Sequence, residues 1–302
     1  MSWDLIGLFL ASTLRLSAPL AFAAMGEYIS EKAGVLNMSV EGMMLTGAFA
    51  GAVGSWMTGS PMLGMLFGLI AVLPVAGLQA FMTNVMRANQ IVTGIGINIL
   101  VLGATTLGYR LLFGARSREV IPGWDKWEPW PLTQLPAIGP AFSQIWLVYM
   151  IPVVGFAIWW VMYRTGLGIA LRAAGDEPRA VANSGIPVRW LRTGAILATG
   201  LLSALGGVFL SIGDIHSFTE GMTRGAGYLA IAAVIFGNWR ILRTILACLL
   251  FGAANALQFQ LPAIGFNVPS ALLIMMPYLL ALVAVAGLAG RQRSPASLTK
   301  PW

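Results

Sequence analysis

The sequence predicts an all-α fold: a polytopic membrane bundle of about nine transmembrane helices, between about eight and ten, at least one of them short or broken. Three observations predict it. Of 302 residues, 58% are hydrophobic and only 10% charged, whereas a soluble domain carries about a quarter charged residues. Apolar runs of membrane-spanning length recur along the whole chain. The basic residues collect in the gaps between those runs, where orientation in a membrane places them.

A hydrocarbon core of ~30 Å calls for ~20 apolar residues per helix. Runs at residues 5–25, 41–58, 62–83, 91–113, 145–163, 193–212, 226–237, 241–259 and 268–289 supply the spans, within one domain over residues 1–302. The first follows Met-Ser-Trp-Asp, with no positive leader region, and reads as a retained helix rather than a signal peptide. The second and third carry Gly47 with Gly51 and Gly64 with Gly68, a spacing that lets helix backbones approach closely. The fourth opens on a polar, glycine-containing stretch, Gln90, Thr93, Gly94, Gly96 and Asn98, where glycine weakens a helix. The seventh, residues 226–237, is too short to cross squarely at ~1.5 Å per residue. It reads as half of a broken helix, with residues 214–225 dipping in from the opposite face.

The gap at 164–192 holds Arg164, Arg172, Arg179, Arg189 and Arg192; Arg87, Arg240, Arg243, Arg291, Arg293 and Lys300 fall in other gaps of the same parity or the tail. Alternating spans put all of these on the cytoplasmic side with the C-terminus, and the N-terminus outside. The outer 114–144 segment is rich in Pro and Trp, with Trp124, Trp127 and Trp130, as expected of an interfacial loop.

Several classes of chemistry fall away. The net charge of +7 is spread over these gaps and forms no stripe for nucleic acid. The single cysteine, Cys248, allows no internal disulfide and no C-x-x-C site. The single histidine, His216, excludes histidine-rich metal sites and a Ser-His-Asp triad. The lysines are Lys32, Lys126 and Lys300, and no P-loop surrounds any of them. No catalytic constellation, metal or cofactor is expected.

What remains are polar groups in or beside apolar runs, which are costly in hydrocarbon and usually face a cavity or pathway. Arg15 lies mid-span in the first helix; Asn37 and Glu41 straddle the entry to the second; Asn98 lies in the fourth; Asn255 and Gln258 lie in the eighth. Each has a structural alternative. Arg15 can pair with Glu41; Asn37 can cap a helix and Glu41 can serve as its first-turn acid; Asn98 can clamp two helices. The 164–192 gap reads as two short helices. Gly175 ends one, Asp176 and Pro178 start the next, and Gly185 with Pro187 stop it. Such a turn suits either docking into a partner or a solvated connector.

Residues 167–178, Leu-Gly-Ile-Ala-Leu-Arg-Ala-Ala-Gly-Asp-Glu-Pro, followed by Gly-Ile-Pro-Val at 185–188, resemble the cytoplasmic loop of ABC importer permeases of the branched-chain amino acid, simple sugar and nucleoside group. Residues 31–37 and 41–44, residues 90–100, and residues 218–222 running into 230–237 resemble the nucleoside-type members, and in particular the second, shorter permease of their pairs. The resemblance implies a multi-pass subunit of the bacterial inner membrane. Its partners would be a cytoplasmic ATPase, a second related permease and an extracytoplasmic binding protein, and its cargo a nucleoside, base or simple sugar. For the substrate pathway it points to Asn37, Glu41, Thr93, Asn98, Phe218 and Glu220, with Phe218 offered for stacking. For ATPase coupling it points to Arg172, Gly175, Asp176, Glu177, Pro178 and Gly185, with Trp239 and Arg240 as a second contact. One departure stands out: relatives tend to carry Gly-Arg-Gly where this chain has Gly225-Ala226-Gly227, with arginine displaced to Arg224. The rival reading is a stand-alone, ion-coupled secondary transporter in which Arg15 and Glu41 form a proton-linked pair.

Overall fold

In the computed structural model the described residues are 3–114, 120–135, 138–263, 265, 269–288 and 294–300. Arg291 and Arg293, two of the basic tail residues, lie outside them. The described chain is helical, and only one isolated β-bridge, between Trp127 and Gln144, occurs among the described residues. The helices are α1 (Trp3–Lys32), α2 (Val40–Thr58), α3 (Pro61–Ala80), α4 (Gln90–Phe113), α5 (Trp146–Arg164), α6 (Gly166–Asp176), α7 (Pro178–Asn183), α8 (Val188–Val208), α9 (Ala226–Phe236), α10 (Ile241–Ala263) and α11 (Ser270–Leu288). Short π-helical turns extend α3 through Val85 and α8 through Ile215.

Six helices among the described residues are long and apolar enough to cross a membrane: Leu5–Lys32, Pro61–Val85, Gln90–Phe113, Trp146–Arg164, Val188–Ile215 and Ile241–Pro262. The other expected spans are also helical. α2 packs its small-residue face inward, and α9 and the apolar part of α11 are shorter. α1 covers 30 residues, about 45 Å at the standard rise, so it outreaches a hydrocarbon core and extends beyond it at an end.

The core forms where α1, α2, α3, α8 and α10 meet. α8 is the most enclosed of the six spans and packs on α1, α2 and α3 at once. Small residues make this possible. A Cβ at Gly47 would lie 2.5 Å from the Ala204 backbone, and one at Gly64 would lie 2.7 Å from the Gly51 carbonyl oxygen. Both glycine pairs therefore serve packing inside the bundle, where close approach replaces the hydrophobic driving force that lipid cannot give. Around them Phe22, Met25, Tyr28, Phe209 and Phe251 fill the interior, fully buried. Cys248 is buried among them.

α4 runs unbroken from Gln90 to Phe113 despite Gly94 and Gly96. Asn89 closes its amino end, accepting from the Ile91 and Val92 N–H groups. Gly94 is needed for proximity: a Cβ there would sit 2.6 Å from the Met38 Cβ. At the opposite end of the bundle, the Trp-rich segment folds back on the helices. Ser55 donates to the Pro122 carbonyl at 2.6 Å, Ile121 N–H donates to the His216 carbonyl at 3.0 Å, and Trp124 stacks edge-on against Trp146.

Candidate functional site

Two groups of residues stand out, one at mid-bundle and one at the end carrying α6 and α7. The mid-bundle group centres on the amino end of α9. After α8 and its π-turn, the chain crosses residues 216–225 without a helix, passing His216, Arg224 and Gly225 at positive φ. α9 then begins inside the bundle, with its first N–H groups exposed to whatever lies ahead of them. Glu41, in the first turn of α2, meets them. Its Oε1 accepts from Thr223 Oγ1 at 2.6 Å and Gly225 N–H at 2.7 Å, and its Oε2 accepts from Gly227 N–H at 2.7 Å. A carboxylate is the natural cap at a helix amino end, where the peptide dipoles present partial positive charge.

Asn98 fixes the neighbouring crossing. Its Oδ1 accepts from Gly42 N–H at 2.8 Å; its Nδ2 donates to the Met38 carbonyl at 2.8 Å and to Tyr228 Oη at 2.9 Å. One amide thus joins α4, the start of α2 and the first turn of α9. Asn37 turns the chain into α2: its Oδ1 accepts from Ser39 N–H at 3.2 Å and Ser39 Oγ at 2.6 Å, and its N–H donates to Glu27 Oε1 at 2.8 Å. Gln90 takes the Leu36 N–H at 2.9 Å.

Asn37, Glu41 and Asn98 therefore lie near one another around the start of α2, and each has its hydrogen-bonding capacity turned into the bundle. Thr93 is half-buried on α4. Phe218 is only 2% exposed, with its ring edge-on to Phe49 at 5.2 Å and tilted against Tyr109 at 5.5 Å. The ring expected to be open for stacking is occupied by these two neighbours. Glu220 is exposed and pairs bidentately with Arg110, Oε1 to Nε at 2.8 Å and Oε2 to Nη2 at 3.1 Å. The Arg110 hydrogen bonds hold its carboxyl below the usual glutamate range. Arg15 reaches Asp214 at 3.3 Å, while Glu41 is engaged by α9. The Arg15–Glu41 pair considered from the sequence is replaced by two separate arrangements.

At the other group, α6 and α7 meet in an elbow. Gly175 lies at the carboxyl end of α6, where a Cβ would fall 2.2 Å from the Lys32 carbonyl oxygen. The elbow therefore rests directly on the end of α1. Asp176 and Glu177 are exposed at the bend, and Pro178 opens α7. Arg172 lays its guanidinium 4.7 Å from the Tyr163 ring centroid. Gly185, at φ +83°, leaves α7 with open space around it. Nearby, the α9–α10 turn buries Trp239, whose Nε1 donates to Glu31 Oε2 at 2.5 Å, and presents Arg240 to the surface.

Two participants in the elbow carry no signal in the sequence that singles them out. Arg192, 1% exposed, donates to the carbonyls of Ala33 (3.1 Å), Lys300 (3.0 Å) and Ala174 (3.5 Å). The tail lies against the same place: Ser297 N–H donates to the Gly175 carbonyl at 2.9 Å, and Ser297 Oγ donates to the Asp176 carbonyl at 3.0 Å.

The chain is similar over nearly its whole length to known membrane permeases. It is 30% identical to the guanosine ABC transporter permease protein NupQ of Bacillus subtilis, across 99% of this chain and 97% of that protein. It is 34% identical to the putative glucose ABC transporter permease protein TsgC13 of Haloferax volcanii, across 83% and 77%. It is 29% identical to the nucleoside ABC transporter permease protein NupC of Lactococcus lactis, across 95% and 94%. The family model for the permease component of branched-chain amino acid transport systems matches residues 9–289. With six helices of spanning length among its described residues, a buried small-residue core and that match over most of its residues, the chain is a multi-pass membrane protein belonging to the branched-chain amino acid transport system permease family.

Proposed function

We propose that this chain is the membrane subunit of an ATP-driven importer that moves a nucleoside or a related base or sugar, and that it does no covalent chemistry of its own. The observation that carries the reading is the α6–α7 elbow, a short two-helix bend set on the ends of α1 and α8. An element of this shape, backed by a buried network and presenting Asp176, Glu177 and Pro178, suits the groove of an ATPase subunit. Arg172, Gly175 and Gly185 belong to its frame, with Trp239 anchoring and Arg240 presenting the second contact. Closing of paired ATPases would push on the elbow, and the elbow would carry that displacement into α1 and α8. A solute can drive such a cycle only through its differential affinity for the two states.

The relatives named for guanosine and nucleosides support a nucleoside cargo, and the glucose-named relative keeps a sugar in view. In the same organisms, further permeases named for the same solutes, NupP and NupB, also match this chain. That supports assembly with a second, related permease. The complex would be completed by cytoplasmic ATPases and an extracytoplasmic binding protein, in the bacterial inner membrane. In this topology nine spans cross, with the N-terminus outside and the elbow, the α9–α10 turn and the C-terminus in the cytoplasm. The mid-bundle crossing of Asn37, Glu41, Thr93 and Asn98 frames the pathway, with Phe218 and Glu220 on its outer side.

Purification of the tagged chain in mild detergent, with mass spectrometry of what accompanies it, tests the reading. Recovery of a P-loop ATPase and a second permease is the expected outcome. Recovery of the chain alone, under conditions that preserve other ABC complexes, would refute it.

A further inference from the structure

The polar residues of the mid-bundle crossing are turned inward, and a second set stands beside them with its surface uncovered. Tyr278 lies midway along α11 and donates its hydroxyl to the Arg224 carbonyl at 2.7 Å. Tyr228, in the first turn of α9, accepts from Asn98, itself well inside α4. Gly225 lies between them: a Cβ there would be 3.3 Å from Tyr278 Oη and 3.8 Å from Tyr228 Cδ2. Both hydroxyls are engaged by the protein, which fixes the rings, yet the two residues remain 44% and 40% exposed. Arg224, at φ +47°, is exposed beside them, and its guanidinium has no acidic partner among the described residues.

The depth of this patch decides its surroundings. Its anchor points are Tyr278, midway along α11, and Asn98 in α4, each about 12 Å or more from the nearer helix end. An unpaired guanidinium facing hydrocarbon at such a depth is costly, and charged groups inside membrane segments face a bundle interior or a water-filled cavity. The patch therefore fronts a polar space.

We infer that Arg224, Tyr228 and Tyr278 form the solute-contacting wall of the translocation path, and that the wall fits a planar heteroaromatic ring. The two fixed tyrosine rings offer stacking faces with little ordering left to lose on contact. The guanidinium offers a planar fork of donors for the acceptor oxygens of a base. Glu41 and Asn98 act on the solute only by holding this wall. The inference rests on the importer reading.

The test uses the complete transporter in proteoliposomes. Because this chain's only native cysteine, Cys248, is buried, single cysteines introduced here report cleanly when labelling is read on this subunit alone, by mass spectrometry of its peptides. Arg224→Cys and Tyr278→Cys should react with a charged, membrane-impermeant methanethiosulfonate during turnover, and guanosine should slow the reaction. Ile70→Cys, exposed midway along α3, is the lipid-facing control. Reaction no faster than at that control, or reaction that guanosine does not slow, would overturn the inference. Uptake of labelled guanosine then separates ring from hydroxyl. Tyr228→Phe and Tyr278→Phe should keep at least about half of the wild-type maximal rate, and the Leu variants should lose on the order of tenfold, with the ATPase still bound. Equal loss in the Phe and Leu variants would make the tyrosines structural struts; wild-type rates in all four would remove them from the path. If the Leu variants do not assemble, Arg224→Gln, an exposed change, decides by the same tenfold criterion. A wild-type complex that lacks an ATPase, or that takes up neither guanosine nor glucose, would count against the importer reading alone, since the labelling still reports whether the patch is wet.

Discussion

Glu41 and Gly227, far apart in sequence, meet where the carboxylate of one accepts the backbone N–H of the other at 2.7 Å, and a Cβ on Gly227 would lie 2.5 Å from the Glu41 nitrogen. α2 and α9 are thus joined both by a cap and by a contact with no room for a side chain. Removing the carboxylate in Glu41→Ala leaves two N–H groups and a hydroxyl without their acceptor, at a cost of about 1–3 kcal/mol. The thermal midpoint in detergent should fall, and Glu41→Gln should recover part of the loss. An unchanged midpoint in both would refute the capping role.

Asn98→Leu should be more damaging than its apolar setting suggests. It strips partners from the Gly42 N–H, the Met38 carbonyl and the Tyr228 hydroxyl together, at about 1 kcal/mol or more for each buried group left unmet. Asn98→Asp keeps the acceptor for Gly42 but sets an oxygen against the Met38 carbonyl, and should fall between the two. Detergent unfolding curves for the three forms give the order directly.

The two elbow glycines should behave differently. Gly175→Ala forces a methyl to within 2.2 Å of the Lys32 carbonyl oxygen, an overpacking worth about 1–3 kcal/mol that must lift α6 off α1. Uptake should fall with it. Gly185→Ala meets only an unfavourable left-handed conformation at φ +83°, about 1–2 kcal/mol, at an open site. It should lower the midpoint slightly and leave uptake near wild type.

Arg192→Met keeps length and loses every donor, leaving the carbonyls of Ala33, Ala174 and Lys300 unmet. The elbow and the tail should loosen together. Limited proteolysis should cut residues 294–300 and the 176–186 region faster than in the wild type; cleavage at wild-type rates would show that Arg192 does not bind them.

The Arg110–Glu220 pair is exposed, so its effect is small and screened by salt. Because Arg110 lowers the Glu220 carboxyl below its ordinary value, the pair's contribution is present above about pH 4.3 and is lost as the pH falls through the lowered value. Arg110→Ala should therefore narrow the difference between neutral and acid midpoints, and only at low ionic strength.

The elbow was legible almost to the residue. Gly175, Asp176, Pro178, Gly185 and Pro187 are local punctuation, and local chemistry sets where short helices start and stop. The brevity of α9 was legible for the same reason, since span length is a property of a run. The roles of Asn37, Glu41 and Asn98 were legible only as alternatives, because a buried polar side chain takes its meaning from what lies across from it. Glu41 meets a helix whose sequence begins far along the chain. Arg224 was marked only as a displaced arginine, and Tyr228 and Tyr278 carried no signal: whether a tyrosine in an apolar helix faces a cavity or lipid depends on which neighbouring helix leaves it uncovered. Arg192 and Ser297 read as ordinary loop and tail residues until the fold brings them to one carbonyl cluster.

The position of α8 bears on how the protein is made. α2 turns its glycine face toward Ala204 and Val208 of α8, and those residues leave the ribosome long after α2 has entered the bilayer. At ~5–20 residues per second, the stretch from Thr58 to Val208 takes on the order of 10 s to synthesise. Through that interval α3 can already pack on the Gly51 and Gly47 backbone through Gly64 and Gly68, but the side of α2 that Ala204 and Val208 will cover has no partner. The core is therefore closed late: α8 must arrive to fill that side, and α10, which packs along α1, is made later still.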